Sequence, residues 1–234
     1  MNAQPDSPSA PPAGAAGLVS ALSRGLPPGR LVTDPDVLAG LSHDEAEWAP
    51  SGRAVAGVRA RTEDEVRHVV RTCAQFGAPV VPRGAGTGLS GGANAVDGCV
   101  VLDLSRMDRV LDIDRDNLTC VVQPGVVNND LKAAVAEYGL WYPPDPASAP
   151  WSTIGGNVAT NAGGLCCLKY GVTRDYVLGL RAVVGGPVAE SAVAYGDAVR
   201  FGRRTTFRAS RPLSRPTAPA IGTRSLSRVP WPNR

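Results

Sequence analysis

The sequence predicts an α+β fold made of two consecutive α/β units. Three observations carry that prediction. Apolar residues at helical spacing alternate with short β-branched runs between residues 54 and 138. The 234-residue chain holds 27 glycines and 21 prolines, well above average usage, so turns and backbone-defined sites outweigh long helices. With 43% hydrophobic and 19% charged residues, it can bury a substantial core.

Residues 1–16 are rich in Pro, Ala, Ser and Gly and predict a disordered N-terminus. Residues 17–51 form an N-terminal helical segment, in which Leu18, Val19 and Leu22 share one face of a short helix ending near Gly25. Residues 54–58 read as a strand. Thr62 and Glu65 form a capping-box signature, and Val66, Val69, Val70, Cys73 and Ala74 then repeat at helical spacing until Gly77 stops the helix. Val80 and Val81 form a short buried strand that enters a glycine-rich loop, and residues 99–102 are the next apolar run. Strand, helix, strand, loop, strand is the first α/β unit.

The second unit follows directly. Residues 110–113 and 119–122 read as strands around a polar turn at 114–117, and Asn128 or Asn129 caps a helix carrying Leu131, Ala134, Val135 and Tyr138. Residues 143–175 predict extended loops of the size that usually serves a ligand, before residues 176–184 return to strand-like sequence.

The N-terminus lacks the basic and apolar regions of a secretory signal, and no apolar run approaches the ~18 residues of a membrane span. A cytoplasmic protein without a membrane span is expected. Cysteines 73, 99, 120, 166 and 167 follow no zinc spacing, so free thiols and no metal are expected. The adjacent pair Cys166 and Cys167 could be redox-active, but lacks a flanking basic group to lower a thiol pKa.

The loop Pro82-Arg83-Gly84-Ala85-Gly86-Thr87-Gly88-Leu89-Ser90-Gly91-Gly92 is the strongest chemical signal. Residues 86–91 match the dinucleotide fingerprint G-x-G-x-x-G literally. A Rossmann loop, however, must feed a helix whose N-terminus receives the pyrophosphate. Only residues 93–98 separate Gly92 from the next apolar run, which leaves no room for that helix. The alternative is a backbone nest, in which successive N–H groups hold an anion and the absent side chains allow close approach. A flexible surface loop is the bland reading. It is disfavoured because so many glycines between two buried strands cost folding entropy that only a ligand would justify.

A second constellation, residues 153–164, carries Thr153, Gly155, Gly156, Asn157, Thr160, Asn161, Gly163 and Gly164. Its hydroxyls and amides suit an uncharged heterocycle or ribityl chain, which need directional hydrogen bonds but little charge. A turn-rich connector would use the same residue types.

Taken with Pro143-Pro144-Asp145-Pro146, these two segments resemble the FAD-binding (PCMH-type) domain of the p-cresol methylhydroxylase and vanillyl-alcohol oxidase superfamily. The branch of glycolate oxidase flavoprotein subunits and D-lactate dehydrogenases is the most similar. The resemblance covers about residues 30–205 and implies a PCMH-type domain of two α/β subdomains at 52–206. By resemblance the first loop holds the FAD pyrophosphate through Arg83, Gly84, Ala85, Gly86, Thr87, Gly88, Leu89 and Ser90. The later segment lies along the flavin through Pro144, Asp145, Thr153, Gly156, Asn157, Thr160, Asn161, Ala162 and Gly163. It also implies hydride transfer from a small D-2-hydroxy acid such as glycolate or D-lactate to FAD, with an electron-acceptor subunit as a candidate partner.

Some relatives attach flavin through a histidine, but His43 and His68 lie outside both loops, so non-covalent FAD is expected. His68 is expected to be a solvated helix residue. No catalytic base is assigned, because in the family it comes largely from a C-terminal substrate domain.

Residues 198–234 hold nine basic and no acidic residues, whereas 1–197 hold 15 basic and 21 acidic. The family pattern stops near Thr206, which predicts that 207–234 is a basic non-homologous tail from a shifted reading frame and that the domain is incomplete and inactive alone. Two alternatives remain: a stand-alone FAD-binding or electron-transfer subunit that needs a partner, and a polyanion-binding module using the tail. Apart from Phe207 and Trp231 the tail lacks aromatics, so nucleic acid is not the expected partner.

Overall fold

The computed structural model describes residues 14–185, 191–195 and 198–201. The basic tail and the first 13 residues lie outside the described residues.

Helix α1 (Ala15–Arg24) starts inside the stretch expected to be disordered and buries Leu18 and Leu22. It gains order by packing on α3 (Glu63–Phe76), whose buried Val69 and Cys73 join the same core. Thr62 Oγ1 accepts from Glu65 N at 3.2 Å, and Gly77 ends α3 at φ 66°, a left-handed conformation that glycine adopts without strain. His68, expected to be solvated, instead reaches α1. Its Nε2 lies 3.1 Å from the Leu22 carbonyl, which also accepts from Gly25 N at the end of α1.

Four strands form the first sheet in the order β1 (Leu31–Val32), β2 (Ala56–Arg59), β4 (Val100–Asp103), β3 (Val80–Arg83). β1 is antiparallel; the other three are parallel. The strand expected at 54–58 therefore begins two residues later. α2 (Pro35–Leu41), capped by Asp34, places Leu38 and Leu41 against Gly57 of β2. The register sets Arg59, Asp103 and Arg83 abreast at the C-terminal ends of the parallel strands. Ligands of open parallel sheets sit at that end.

In the second unit β5 (Val110–Asp114) and β6 (Thr119–Val122) form an antiparallel hairpin, and α4 (Asn128–Ala136) packs Leu131 and Val135 with Cys120, Tyr142 and Ile154. Neither Asn128 nor Asn129 caps α4. The N-cap is Val127, and the backbone N–H groups of Asn128 and Asn129 donate to Ser152 O and Ala149 O. The neighbouring segment thus does the work of a capping side chain, and Asn128 is fully buried. Tyr138 lies beyond the helix end and is exposed.

The stretch at 143–175 is more ordered than an extended loop. It contains α5 (Ile154–Thr160), α6 (Cys167–Tyr170) and a 3-10 turn (Thr173–Tyr176). That turn displaces the start of the strand expected at 176: β7 is Gly179–Val183, pairing antiparallel with β8 (Ser191–Tyr195), which pairs with β9 (Ala198–Phe201). Tyr176 is held by its hydroxyl, which donates to Tyr170 O at 2.5 Å.

Candidate functional site

The glycine loop leaves β3 at Arg83 and reaches β4 without any helix after Gly92. The literal dinucleotide fingerprint is therefore not a Rossmann turn. Gly86 and Gly91 adopt φ 79° and 72°, conformations that place N–H groups where an L side chain would be strained. Thr87 and Gly88 are half-buried, and Ala85, Leu89 and Ser90 are exposed.

A Cβ placed on Gly84 would lie 2.3 Å from Thr153 Oγ1. This contact brings the two glycine-rich segments together across nearly 70 residues of chain. Thr153 Oγ1 in turn caps α5, accepting from Gly156 N at 3.3 Å. Gly155 presses on Pro124, where a Cβ would come within 2.6 Å, so a glycine that looks like part of a loop in sequence is the means by which α5 packs closely.

Along α5, Asn157 is buried, and Thr160 Oγ1 donates to Gly156 O at 3.1 Å. Asn161 ends the helix at φ 49° and accepts from Arg174 N through Oδ1, while Ala162 O accepts from Thr173 N and Oγ1. Gly163 touches Cys167 and Val172. Pro144 is fully buried and Asp145 pairs with Lys132 of α4. Gly164 abuts Asp145, where a Cβ would fall 1.9 Å from the carbonyl oxygen. These contacts tie the Pro-rich segment to α4 and to the end of α5.

Sequence reasoning missed Asp44, Asn94, Lys132 and Asn128. Asp44 Oδ2 faces Gly88, 3.0 Å from where a Cβ would lie. No local pattern marks it, since the contact spans 44 residues of sequence. The Arg83 guanidinium is half-buried. Burial lowers its pKa, while Asp103, Asp44 and Glu45 act in the opposite direction. Burial pushes the Tyr142 hydroxyl well up, so it stays neutral. Among the described residues no group of three His, Cys, Asp or Glu side chains could hold a metal ion.

Two features test whether a flavin dinucleotide suits these residues. A Cβ on Gly84, Gly86 or Gly88 would strike the Thr153, Arg83 or Asp44 side chain, so the loop backbone is packed closely among its neighbours, and Gly86 and Gly91 at positive φ give it the glycine-dependent conformation that a backbone anion nest uses. Beside Thr153, the buried Asn157 Nδ2, Ser152 Oγ and Asn128 amide have no hydrogen-bond partner among the described residues. Neutral donors and acceptors left open in this way match the chemistry of an uncharged ring system rather than a second anion. The residues present fit the group.

Residues 54–196 match the FAD binding domain family. The chain is 47% identical over 147 residues to glycolate oxidase subunit GlcD of Bacillus subtilis (strain 168), covering 63% of this chain and 29% of that protein. It is 40% identical over 159 residues to D-lactate dehydrogenase of Anaerostipes hadrus, covering 68% and 33%. The fold is shared with p-cresol methylhydroxylase at TM-score 0.69 and 17% identity, over 86% of this chain and 44% of that one. The chain spans about a third of the length of the curated relatives it matches.

Proposed function

The chain belongs to the FAD binding domain family, and on that premise we propose that it holds FAD for an oxidoreductase acting on a small D-2-hydroxy acid. The observation that carries the proposal is the Gly84–Thr153 contact, which sets a phosphate-compatible glycine nest beside a neutral amide-rich helix. That arrangement suits the two halves of a flavin dinucleotide.

When bound, FAD supplies the hydride acceptor. The chain's own residues bind and orient. The N–H groups of residues 84–90 hold the pyrophosphate, and Thr153, Gly156, Asn157, Thr160, Asn161, Ala162 and Gly163 line the flavin and ribityl side, with Pro144 and Asp145 supporting them from the Pro-rich segment. No histidine sits within either segment, which supports non-covalent attachment. The names of the relatives support glycolate or D-lactate as the substrate class, and the word subunit in one of them supports a companion that accepts the electrons. The absence of a helix apolar enough to cross a membrane among the described residues is compatible with the cytoplasm.

The test is direct. Purified chain incubated with FAD and desalted should retain a flavin absorption band, and acid precipitation should release all of it. A colourless protein refutes FAD binding; flavin remaining in the precipitate refutes non-covalent attachment.

A further inference from the structure

The segment before the family-matched region, residues 42–53, wraps the glycine loop. Ala95 N donates to Ser42 O at 2.9 Å, Glu45 N to Gly88 O at 2.9 Å, and Gly52 N to Ala95 O at 2.6 Å. Asn94, itself buried, accepts from Asp44 N at 2.8 Å and donates to Ala49 O and Pro50 O at 3.3 and 3.2 Å. Asp44 bridges the two segments with its carboxylate, accepting from Ala46 N at 2.9 Å and Ala93 N at 3.5 Å. Gly91 packs against Ala49, where a Cβ would meet the alanine methyl at 2.8 Å. Backbone groups that loops normally leave to water are here satisfied by this strap.

Arg83 closes the arrangement. Its Nη1 donates to His43 O at 2.6 Å, and its guanidinium lies over Gly86, where a Cβ would come 2.2 Å from Nη2. The side chain that resemblance assigns to the pyrophosphate is thus folded back over its own loop and tied to the strap.

We infer that residues 42–53 are an integral part of the cofactor site and that Arg83 and Asp44 are positioning residues, Arg83 latching the glycine loop to the strap instead of pairing with the dinucleotide's phosphates. The inference rests on the proposed FAD reading for its ligand, but not for the latch itself. A loop of many glycines has a large conformational entropy, and holding it before the ligand arrives lowers the ordering cost of binding. A planar guanidinium suits a fixed carbonyl and a close glycine surface, whereas an ammonium would keep only the charge.

The experiment uses the full chain and three variants: Arg83→Lys, Arg83→Gln and Asp44→Asn. Backbone hydrogen exchange is followed in FAD-free protein at Glu45, Ala93 and Ala95, with amides of α4 and β6 as folding controls. FAD affinity is then measured at low and moderate salt. All three variants should accelerate exchange at the strap and loop by about tenfold, the effect of losing roughly one charged hydrogen bond, while the control amides stay protected. FAD affinity should fall by a similar factor with an unchanged salt dependence. Arg83→Lys that keeps wild-type exchange and affinity overturns the latch, as does Arg83→Gln with wild-type exchange and a loss confined to low salt, the behaviour of an exposed phosphate pair. Wild-type chain that binds no FAD would sink the proposed function, whereas the exchange data would still decide whether Arg83 and Asp44 hold the loop.

Discussion

Gly84 and Thr153 touch: any side chain on Gly84 would strike the Thr153 hydroxyl, 2.3 Å from where its Cβ would stand. Gly84→Ala is therefore expected to destabilise the protein by ~1–3 kcal/mol through overpacking. Thr153→Ala should cost about 1 kcal/mol through the lost α5 cap. Because the second change removes the atom that the first one hits, the double variant should be less destabilised than the sum. Urea unfolding of all four proteins measures the coupling, and strict additivity would show that the two segments do not meet.

Gly163 and Gly164 look equivalent in sequence, but the structure separates them. A Cβ on Gly163 would make contacts of 3.3–3.6 Å with Val172 and Cys167, whereas one on Gly164 would sit 1.9 Å from Asp145 O at φ 156°. Gly163→Ala should change stability by less than about 1 kcal/mol, and Gly164→Ala should cost roughly 3 kcal/mol by combining backbone strain with a steric clash. Thermal denaturation of the two variants should rank them in that order.

The thiols divide by burial. Cys73, Cys99 and Cys120 are buried, Cys166 is half-buried and Cys167 exposed. Burial, reinforced by Cys99, raises the Cys73 pKa from 9.0 to about 11, and burial raises that of Cys99. Because the thiolate is the nucleophile, iodoacetamide at pH 8 should label Cys166 and Cys167 and spare the other three until the protein unfolds. Mass mapping of the labelled peptides reads this out.

The same shift predicts a pH dependence. Below pH 9 the Cys73 thiol is protonated whether the chain is folded or not. Between about 9 and 11 the unfolded chain loses this proton while the native one keeps it, so stability falls as pH rises through that window. Cys73→Ala should flatten this part of the melting-temperature profile, and an unaltered slope would assign the loss to other groups.

If the nest holds pyrophosphate, ADP should compete with FAD, and riboflavin should bind far more weakly than either. Competition titrations followed by flavin fluorescence decide this, with equal affinity for riboflavin and FAD as the contrary result.

The parts of this protein that could be read from the sequence are those built from neighbours. Thr62 and Gly77 bracket α3 because an N-cap hydroxyl and a left-handed glycine act within one turn. The glycine loop was recognisable as something other than a Rossmann turn because the six residues before the next apolar run cannot make a helix of several turns. What the sequence could not disclose depends on partners far along the chain. α5 was hidden because Gly155 weakens a helix locally, and its value lies in meeting Pro124. Asn128 resembled a cap, yet the carbonyls of Ala149 and Ser152 occupy that role. His68 looked solvated until Leu22 was brought beside it, and Asp44 carried no signal until folding set it against Gly88. Caps, periodicity and glycine content thus determined α3, the approximate places of several strands and a glycine loop that feeds no helix, because those forces act over a few residues. Only the tertiary structure decided that the two glycine-rich segments meet and that a strap holds one of them, because those contacts join groups that the chain separates by dozens of residues.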